Sequence, residues 1–264
     1  MKKRIISPII QNIKIAHGTY KMTLFAPYIA SNVTPGQFVH IKIPRDSSLL
    51  LRRPISVNGV DKNNGTIDLV YRVVGKGTSL LSKLKPNELD LDLLGPLGNG
   101  YKVEENIKSL WLVGGGCGVA PLKLAAQKWS NLDITAFLGF KNKSEAYQID
   151  DFKNLCSQVF ISTDDGSLGE KGFITHILIK HISELRPKLI LGCGPISMLK
   201  ILKQISERYD VPCQISLEER MGCGMGGCFV CSCAIGIKDS WDYKKVCTDG
   251  PVFDSREVIF DEWP

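Results

Sequence analysis

The sequence predicts a β plus α/β protein. An N-terminal antiparallel β-barrel is expected first, then a Rossmann-like domain with a parallel sheet, then a small C-terminal region built around thiols. Three observations carry this. Short alternating segments separated by turns fill the first hundred residues, apolar runs then alternate with helix-period segments, and five of the nine cysteines crowd into residues 223–247. The expected domains are 1–103, 104–212 and 213–264.

Bulk composition narrows the function classes. A chain of 264 residues suits about two domains of roughly 100–200 residues and can bury a core without staples. The net charge of +6 is spread along the chain with no basic run, which argues against tracking a nucleic-acid backbone. The start, "MKKRIISPIIQNIK", lacks an apolar h-region and a cleavage site, and no 18-residue apolar run occurs, so no membrane span and a cytoplasmic location are expected. Clustered cysteines in such a chain point to metal rather than to a disulfide framework.

In the barrel half, "QFVHIKI" alternates with Val39, Ile41 and Ile43 on one face. "TIDLVYRVV" does the same with Ile67, Leu69, Tyr71 and Val73. Turn signals follow one another at "TPGQ", "KNNG", "KPNE" and "GPLGNG". From about residue 107 the rhythm changes. "SLWLVGGG", "DITAFLGF", "QVFISTDD", "KLILGCG" and "CQISLE" read as strands. Helix periodicity appears in "PLKLAAQKW" (Leu122, Ala125, Ala126, Trp129), "GFITHILIKHI" (Ile174, Ile177, Leu178) and "ISMLKILKQI" (Met198, Ile201, Leu202, Ile205). Strand–helix alternation means βαβ units and a parallel sheet.

The C-terminal thiols are spaced Cys223-x4-Cys228-x2-Cys231-x15-Cys247. C-x4-C-x2-C…C is the plant-type ferredoxin run for a [2Fe–2S] cluster. Three thiolates on one loop wrap two irons and a fourth comes from a separate segment. Gly222, Gly224, Gly226 and Gly227 let backbone N–H groups approach the sulfurs. The competing reading is a tetrahedral zinc site, which favours paired C-x2-C knuckles. Cys233 is left over, and a packing thiol is its simpler role.

Other segments suit nucleotide cofactors. "LRRPISV" offers a guanidinium for a pyrophosphate and a hydroxyl for a flavin ring, although it also reads as a basic turn on a barrel edge. "YRVVGKGTSLL" carries Tyr71 and Arg72, then Gly77 and Thr78 opening a helix whose N–H groups suit a phosphate. "LVGGGCGVAPL" is a strand, a glycine turn and a helix start. It keeps Gly116-x-Gly118 but has Pro121 where a third glycine belongs, so it is an incomplete dinucleotide fingerprint. Its glycine turn leaves room for a pyrophosphate or simply packs tightly. Asp164 and Asp165 end a strand and could accept from ribose hydroxyls while repelling a 2′-phosphate, which favours NAD over NADP, or they form a solvated turn. His17, His40, His176 and His181 are isolated and carry no catalytic signal.

In order, Arg53-Pro54-Ile55-Ser56, Gly75-Lys76-Gly77-Thr78, Gly95-Pro96-Leu97-Gly98, Gly114 to Pro121 and Cys193-Gly194-Pro195 resemble the ferredoxin–NADP⁺ reductase superfamily. With "SLEERMGCGMGGCFVCSC" and "VCTDGPVF" added, the whole chain resembles the electron-transfer subunits of the two-subunit, NAD-dependent dihydroorotate dehydrogenases. That resemblance implies an FAD-binding barrel, an NAD-binding α/β domain and a [2Fe–2S] cluster-binding region. It places Arg53 on the FAD pyrophosphate and Ser56 beside the isoalloxazine, with Pro54 and Ile55 between them. Val70, Tyr71 and Arg72 then lie along the flavin, and Gly77 and Thr78 at the phosphates. Cys223, Cys228, Cys231 and Cys247 become the cluster ligands. Cys193 stands near the nicotinamide in the superfamily, with a small buried residue at a strand end as the equal alternative.

The implied activity is conversion between a hydride and single electrons, from NAD(H) through FAD and cluster to a partner. In the family that partner is an FMN-containing catalytic subunit that oxidises dihydroorotate to orotate in pyrimidine (UMP) biosynthesis, in a heterotetramer of two subunits of each type. The alternative is a similar subunit serving a transhydrogenase, sulfide dehydrogenase or hydrogenase. Many of those carry aspartate as first cluster ligand, so Cys223 favours the dihydroorotate partner.

Overall fold

The computed structural model describes residues 2–44, 46, 48–237 and 240–260. Six strands close an antiparallel barrel: β1 (Lys3–Ala16), β2 (Thr19–Phe25), β3 (Phe38–Ile41), β4 (Arg53–Asp61), β5 (Thr66–Arg72) and β6 (Asp90–Leu97), in the order β1-β2-β5-β4-β3-β6. Helix α1 (Pro27–Asn32) begins on Pro27, whose missing N–H has no bond to lose in a first turn. Helix α2 (Lys76–Leu81) follows β5. Met22, Leu24, Ile67, Leu69, Leu91 and Leu93 are fully buried inside the barrel.

Strand β3 is shorter than the alternation suggested, and all four of its residues are buried. Val39 and Ile41 face the barrel core, as the pattern requires. The other face is covered as well. Phe38 joins the core of the α/β half, and His40 lies beneath the cysteine loop. Arg53 to Val57 of "RRPISV" begin a strand, β4, rather than an edge turn.

The second half holds β7 (Ser109–Gly115), α3 (Val119–Lys128), β8 (Asp133–Phe140), α4 (Ile149–Leu155), β9 (Gln158–Thr163), β10 (Glu170–Lys171), α5 (Ile174–Leu185), β11 (Leu189–Cys193), α6 (Ile196–Tyr209) and β12 (Cys213–Ser216). These strands are parallel to their neighbours in the order β10-β9-β8-β7-β11-β12. Strand order reverses between β7 and β11, so the crevice beyond their carboxyl ends is where a ligand fits in an open α/β sheet. The chain then forms the cysteine loop and a hairpin of β13 (Ser232–Ile237) and β14 (Ser240–Lys245). It returns as β15 (Val252–Asp254), antiparallel to β12.

Strands β12 and β15 lie beyond the boundary expected at residue 212, yet both belong to the α/β sheet. The C-terminal region leaves the sheet after Ser216 and re-enters it at Val252, because Ile215 and Phe253 complete the same apolar core. The cysteine loop is thereby fixed at both ends to the sheet edge.

Polar contacts seat the barrel on the α/β half. Asn58 of β4 is fully buried, donates to the Ala120 carbonyl at 2.8 Å and exchanges bonds with the Gln148 amide at 2.9 Å. Arg72 pairs with Glu145 at 3.0 Å. No helix among the described residues is long and apolar enough to cross a membrane.

Candidate functional site

A cavity of about 300 Å³ opens between the barrel and the carboxyl ends of the parallel strands. Strand β4 contributes Arg53 to Ser56 in one run, and β5 contributes Val70, Tyr71 and Arg72. These two strands are hydrogen-bonded neighbours, so their ends form one continuous wall. Thr78 adds the start of α2. Nine of the twelve expected nucleotide-binding residues therefore meet either at this wall or, for Gly77, directly against it.

The guanidinium of Arg53 lies over Gly77. A Cβ there would stand 2.9 Å from Arg53 Nε, so glycine leaves the space that the arginine uses. Arg53 Nη1 donates to the Leu51 carbonyl at 2.6 Å, which aims the fork along the start of α2. Thr78 is turned into its own loop: its Oγ1 accepts from Val74 N at 3.0 Å and Gly75 N at 3.2 Å. Tyr71 points into the barrel, donates to Asn12 Oδ1 at 3.0 Å, and is held by burial above the ordinary phenol range. Arg72 is half committed by its pair with Glu145.

Gly116, Gly118 and Cys193 do not line this cavity. Gly116 sits at φ +54 with open space where a side chain would be. At Gly118 a side chain would collide with the Cys193 carbonyl, so this glycine serves close packing of the turn against the end of β11. Cys193 is 1% exposed, and burial, followed by the Glu218 charge, pushes its thiol well above the ordinary range. Asp164 and Asp165 follow β9 at the surface, where Asp165 accepts from Ser167 N at 2.9 Å and from its hydroxyl at 2.6 Å.

Sequence reading missed the opposite wall. Ser216 at the end of β12, and Leu217, Glu218 and Met221 just past it, line the cavity across from β4 and β5, with Cys117 at the glycine turn. Burial raises the Glu218 carboxyl above its ordinary value, and burial pushes Cys117 up to about 11. The available signal was position, since "SLEERM" directly follows a strand whose carboxyl end faces the crevice.

Two residues past Met221 the cysteine loop begins. Cys223 Sγ accepts from Met225 N and Gly227 N, both at 3.3 Å, and Cys228 Sγ accepts from Cys223 N at 3.3 Å. The Met225 N–H, followed by the Cys228 thiol and other loop N–H groups against a smaller desolvation cost, pulls the Cys223 thiol down to about 6. Gly224 and Gly226 take left-handed φ values of +68 and +91, which turn the loop's N–H groups inward. Cys231 and Cys247 are 2% and 1% exposed and lie against each other, and burial with this neighbour pushes Cys247 up to about 11. Cys233 is fully buried in β13, with its thiol 3.5 Å from the Lys244 carbonyl.

The four thiols thus form two neighbouring pairs, Cys223 with Cys228 and Cys231 with Cys247. Among the described residues no group of three or more His, Cys, Asp or Glu is placed to hold one metal ion. Two pairs are what a two-iron cluster takes, two thiolates to each iron. The inward N–H groups suit the sulfur of such a cluster. The cavity, walled by a guanidinium, a strand end and apolar side chains, suits a flavin nucleotide.

Comparison with known proteins agrees with this architecture. Residues 218–259 match the model of the iron–sulfur cluster binding domain of dihydroorotate dehydrogenase B. The dihydroorotate dehydrogenase B (NAD(+)) electron transfer subunit of Desulforamulus reducens is 36% identical over 99% of this chain and 100% of its own length. That of Bacillus pumilus is 41% identical over 98% of both. A chain of an NADH-dependent reduced ferredoxin-NADP oxidoreductase superposes with a TM-score of 0.87 at 32% identity, over 98% of this chain and 91% of that one. The ferredoxin-NADP⁺ reductase of Plasmodium falciparum, at 14% identity and a TM-score of 0.62, shares the fold over 78% of this chain and 90% of its own. By identity, near-complete coverage and the thiol loop together, the chain belongs to the family of dihydroorotate dehydrogenase B (NAD(+)) electron transfer subunits.

Proposed function

We propose that this chain exchanges a hydride with NAD(H) at a bound FAD and single electrons with an FMN-containing dihydroorotate dehydrogenase subunit through a [2Fe–2S] cluster. It thereby serves the oxidation of dihydroorotate to orotate in pyrimidine biosynthesis. The observation that carries the reading is continuity: the chain that lines the cavity through Met221 becomes the cluster loop at Cys223. When bound, FAD trades hydrides with nicotinamide and single electrons with the cluster, and the cluster passes single electrons onward.

The residues of this chain hold and orient. Arg53 neutralises pyrophosphate charge, with Gly77 leaving it room. Ser56 offers a hydroxyl at the ring end of β4, and Pro54 and Ile55 give the wall its apolar surface. Val70, Tyr71 and Arg72 run beside the flavin, and Thr78 fixes the phosphate turn. Gly116, Gly118 and Cys193 stand at the carboxyl ends of β7 and β11, where the strand order reverses, the side from which a nicotinamide would approach. Asp164 favours NAD by repelling a 2′-phosphate. Cys223, Cys228, Cys231 and Cys247 hold the cluster.

Met225, Phe229 and Val230 are 57%, 62% and 53% exposed around the thiol loop, an apolar surface suited to the catalytic subunit. A heterotetramer of two subunits of each type in the cytoplasm is the assembly we propose.

The reading is tested by iron, acid-labile sulfide and flavin analysis of protein purified without oxygen. One FAD, two irons and two sulfides per chain, with NADH reducing an artificial acceptor, are expected. Colourless protein that holds zinc and no flavin would overturn it.

A further inference from the structure

His40 is the one histidine that the barrel buries completely, at 0% exposure, and among the described residues neither ring nitrogen has a hydrogen-bond partner. A buried polar group without a partner is costly, so a ring held this way points to a group that occupies the adjacent space in the working protein. The direction of that space is given by the cysteine loop. A side chain at Gly224 would collide with His40 Nδ1, so the ring presses on the turn immediately after Cys223. The backbones of Cys223 and Arg52 lie close to the ring, but outside hydrogen-bond geometry.

Arg52 is fixed by Asp92, with Nη2 to Oδ1 at 2.9 Å, and its Nη1 stands 3.3 Å from the His40 carbonyl. An imidazole carries at least one N–H, and among the described residues neither ring nitrogen of His40 has a partner at hydrogen-bond geometry. The backbone already supplies Cys223 Sγ with two donors, from Met225 and Gly227. Strand β3 also carries Phe38 two residues earlier, at the cavity. His40 therefore stands between the flavin wall and the cluster loop.

We infer that His40 is a positioning residue for the cluster: its ring N–H is a side-chain donor at the Cys223 end of the cluster site and raises the cluster's reduction potential. This rests on the reading that the four paired thiols hold a [2Fe–2S] cluster. Hydrogen bonds to cluster sulfur favour the reduced, more negative state, so losing one makes reduction harder. Placing the donor on the barrel side sets the potential where electrons pass between flavin and cluster.

The test uses the whole chain, labelled with ¹⁵N-histidine, together with the variants His40→Leu and His40→Gln. Pulsed EPR of the reduced wild-type cluster should show coupling to one histidine ring nitrogen. His17, His176 and His181 lie on the β1–β2 turn and on α5, not on the segments that carry the four thiols. The Leu variant should shift the reduction equilibrium about tenfold toward the oxidised cluster, about 59 mV for one electron. Gln keeps an N–H and should recover at least half of that shift. A missing ¹⁵N coupling, an unchanged potential in the Leu variant, or a Gln variant no nearer wild type than Leu would each overturn the inference while leaving the cluster intact. If the Leu variant holds no cluster, the wild-type coupling decides. A wild-type protein with no [2Fe–2S] signal would remove the cluster reading, and this inference with it.

Discussion

Met221 lines the cavity between barrel and parallel sheet, and Cys223, two residues on, opens the thiol loop. No other segment intervenes, so the cavity and the loop share one stretch of backbone anchored by β12. A cofactor in the cavity and a cluster in the loop would be neighbours by construction of the chain.

Cys228→Ser separates the two sites. Cys228 pairs with Cys223, so its loss should remove the [2Fe–2S] EPR signal and all transfer to the catalytic subunit. The cavity is untouched, so flavin content and NADH oxidation by an artificial acceptor should stay within about twofold of wild type. A wild-type EPR spectrum from this variant would refute the ligand assignment.

Arg53→Ala should weaken FAD binding to the apoprotein by about tenfold to a hundredfold, since a hydrogen bond to a charged group contributes about 1.5–3 kcal/mol. Gly77→Ala should weaken it less, because the new methyl group at 2.9 Å from Arg53 Nε displaces only the end of a flexible side chain. Fluorescence titration with FAD gives both constants. An unchanged constant for Arg53→Ala would rule out its role at the pyrophosphate.

The Arg72–Glu145 pair, at 3.0 Å with side chains 40% and 14% exposed, joins the barrel to the α/β half. Partly exposed pairs contribute little, so Glu145→Gln should cost no more than about 1 kcal/mol in urea unfolding. Arg72→Ala should weaken FAD binding beyond anything Glu145→Gln does. Equal effects of the two on FAD would mean that Arg72 acts only through the pair.

Asp92 sets an acid limit on stability. Burial favours its neutral form, but the Arg4 and Arg52 guanidinium groups outweigh this and hold the carboxyl below its usual range. A carboxyl depressed in the folded state contributes fully above its unfolded value of about 4, and the contribution is lost as pH falls through the folded value. The Asp92→Asn variant should therefore be less stable than wild type at pH 7, with the gap narrowing below about pH 4. Urea midpoints from pH 7 to pH 3 measure this, and a gap that widened on acidification would contradict the pairing.

How much could be read in advance follows the distance between partners along the chain. The Cys223 to Cys231 run and Arg53 to Ser56 are local, so their residues were legible as patterns. The pairing of Cys231 with Cys247 was legible only through spacing familiar from a cluster type. Ser216 to Met221 were missed because their role comes from facing β4 across some 160 residues of sequence, which no local pattern records. His40 looked isolated for the same reason, since its neighbour is Gly224. The domain boundary at 212 followed the change of composition, whereas β15 returns from beyond the thiols to complete the sheet.

The most direct test of the central claim is anaerobic NAD⁺ reduction by dihydroorotate, with this chain and a dihydroorotate dehydrogenase catalytic subunit from the same source. The account predicts NADH formation only when both proteins are present, and its loss with Cys228→Ser. No NADH from a mixture in which FAD and cluster are both spectroscopically present would contradict the dihydroorotate partner and move the converter to another oxidoreductase.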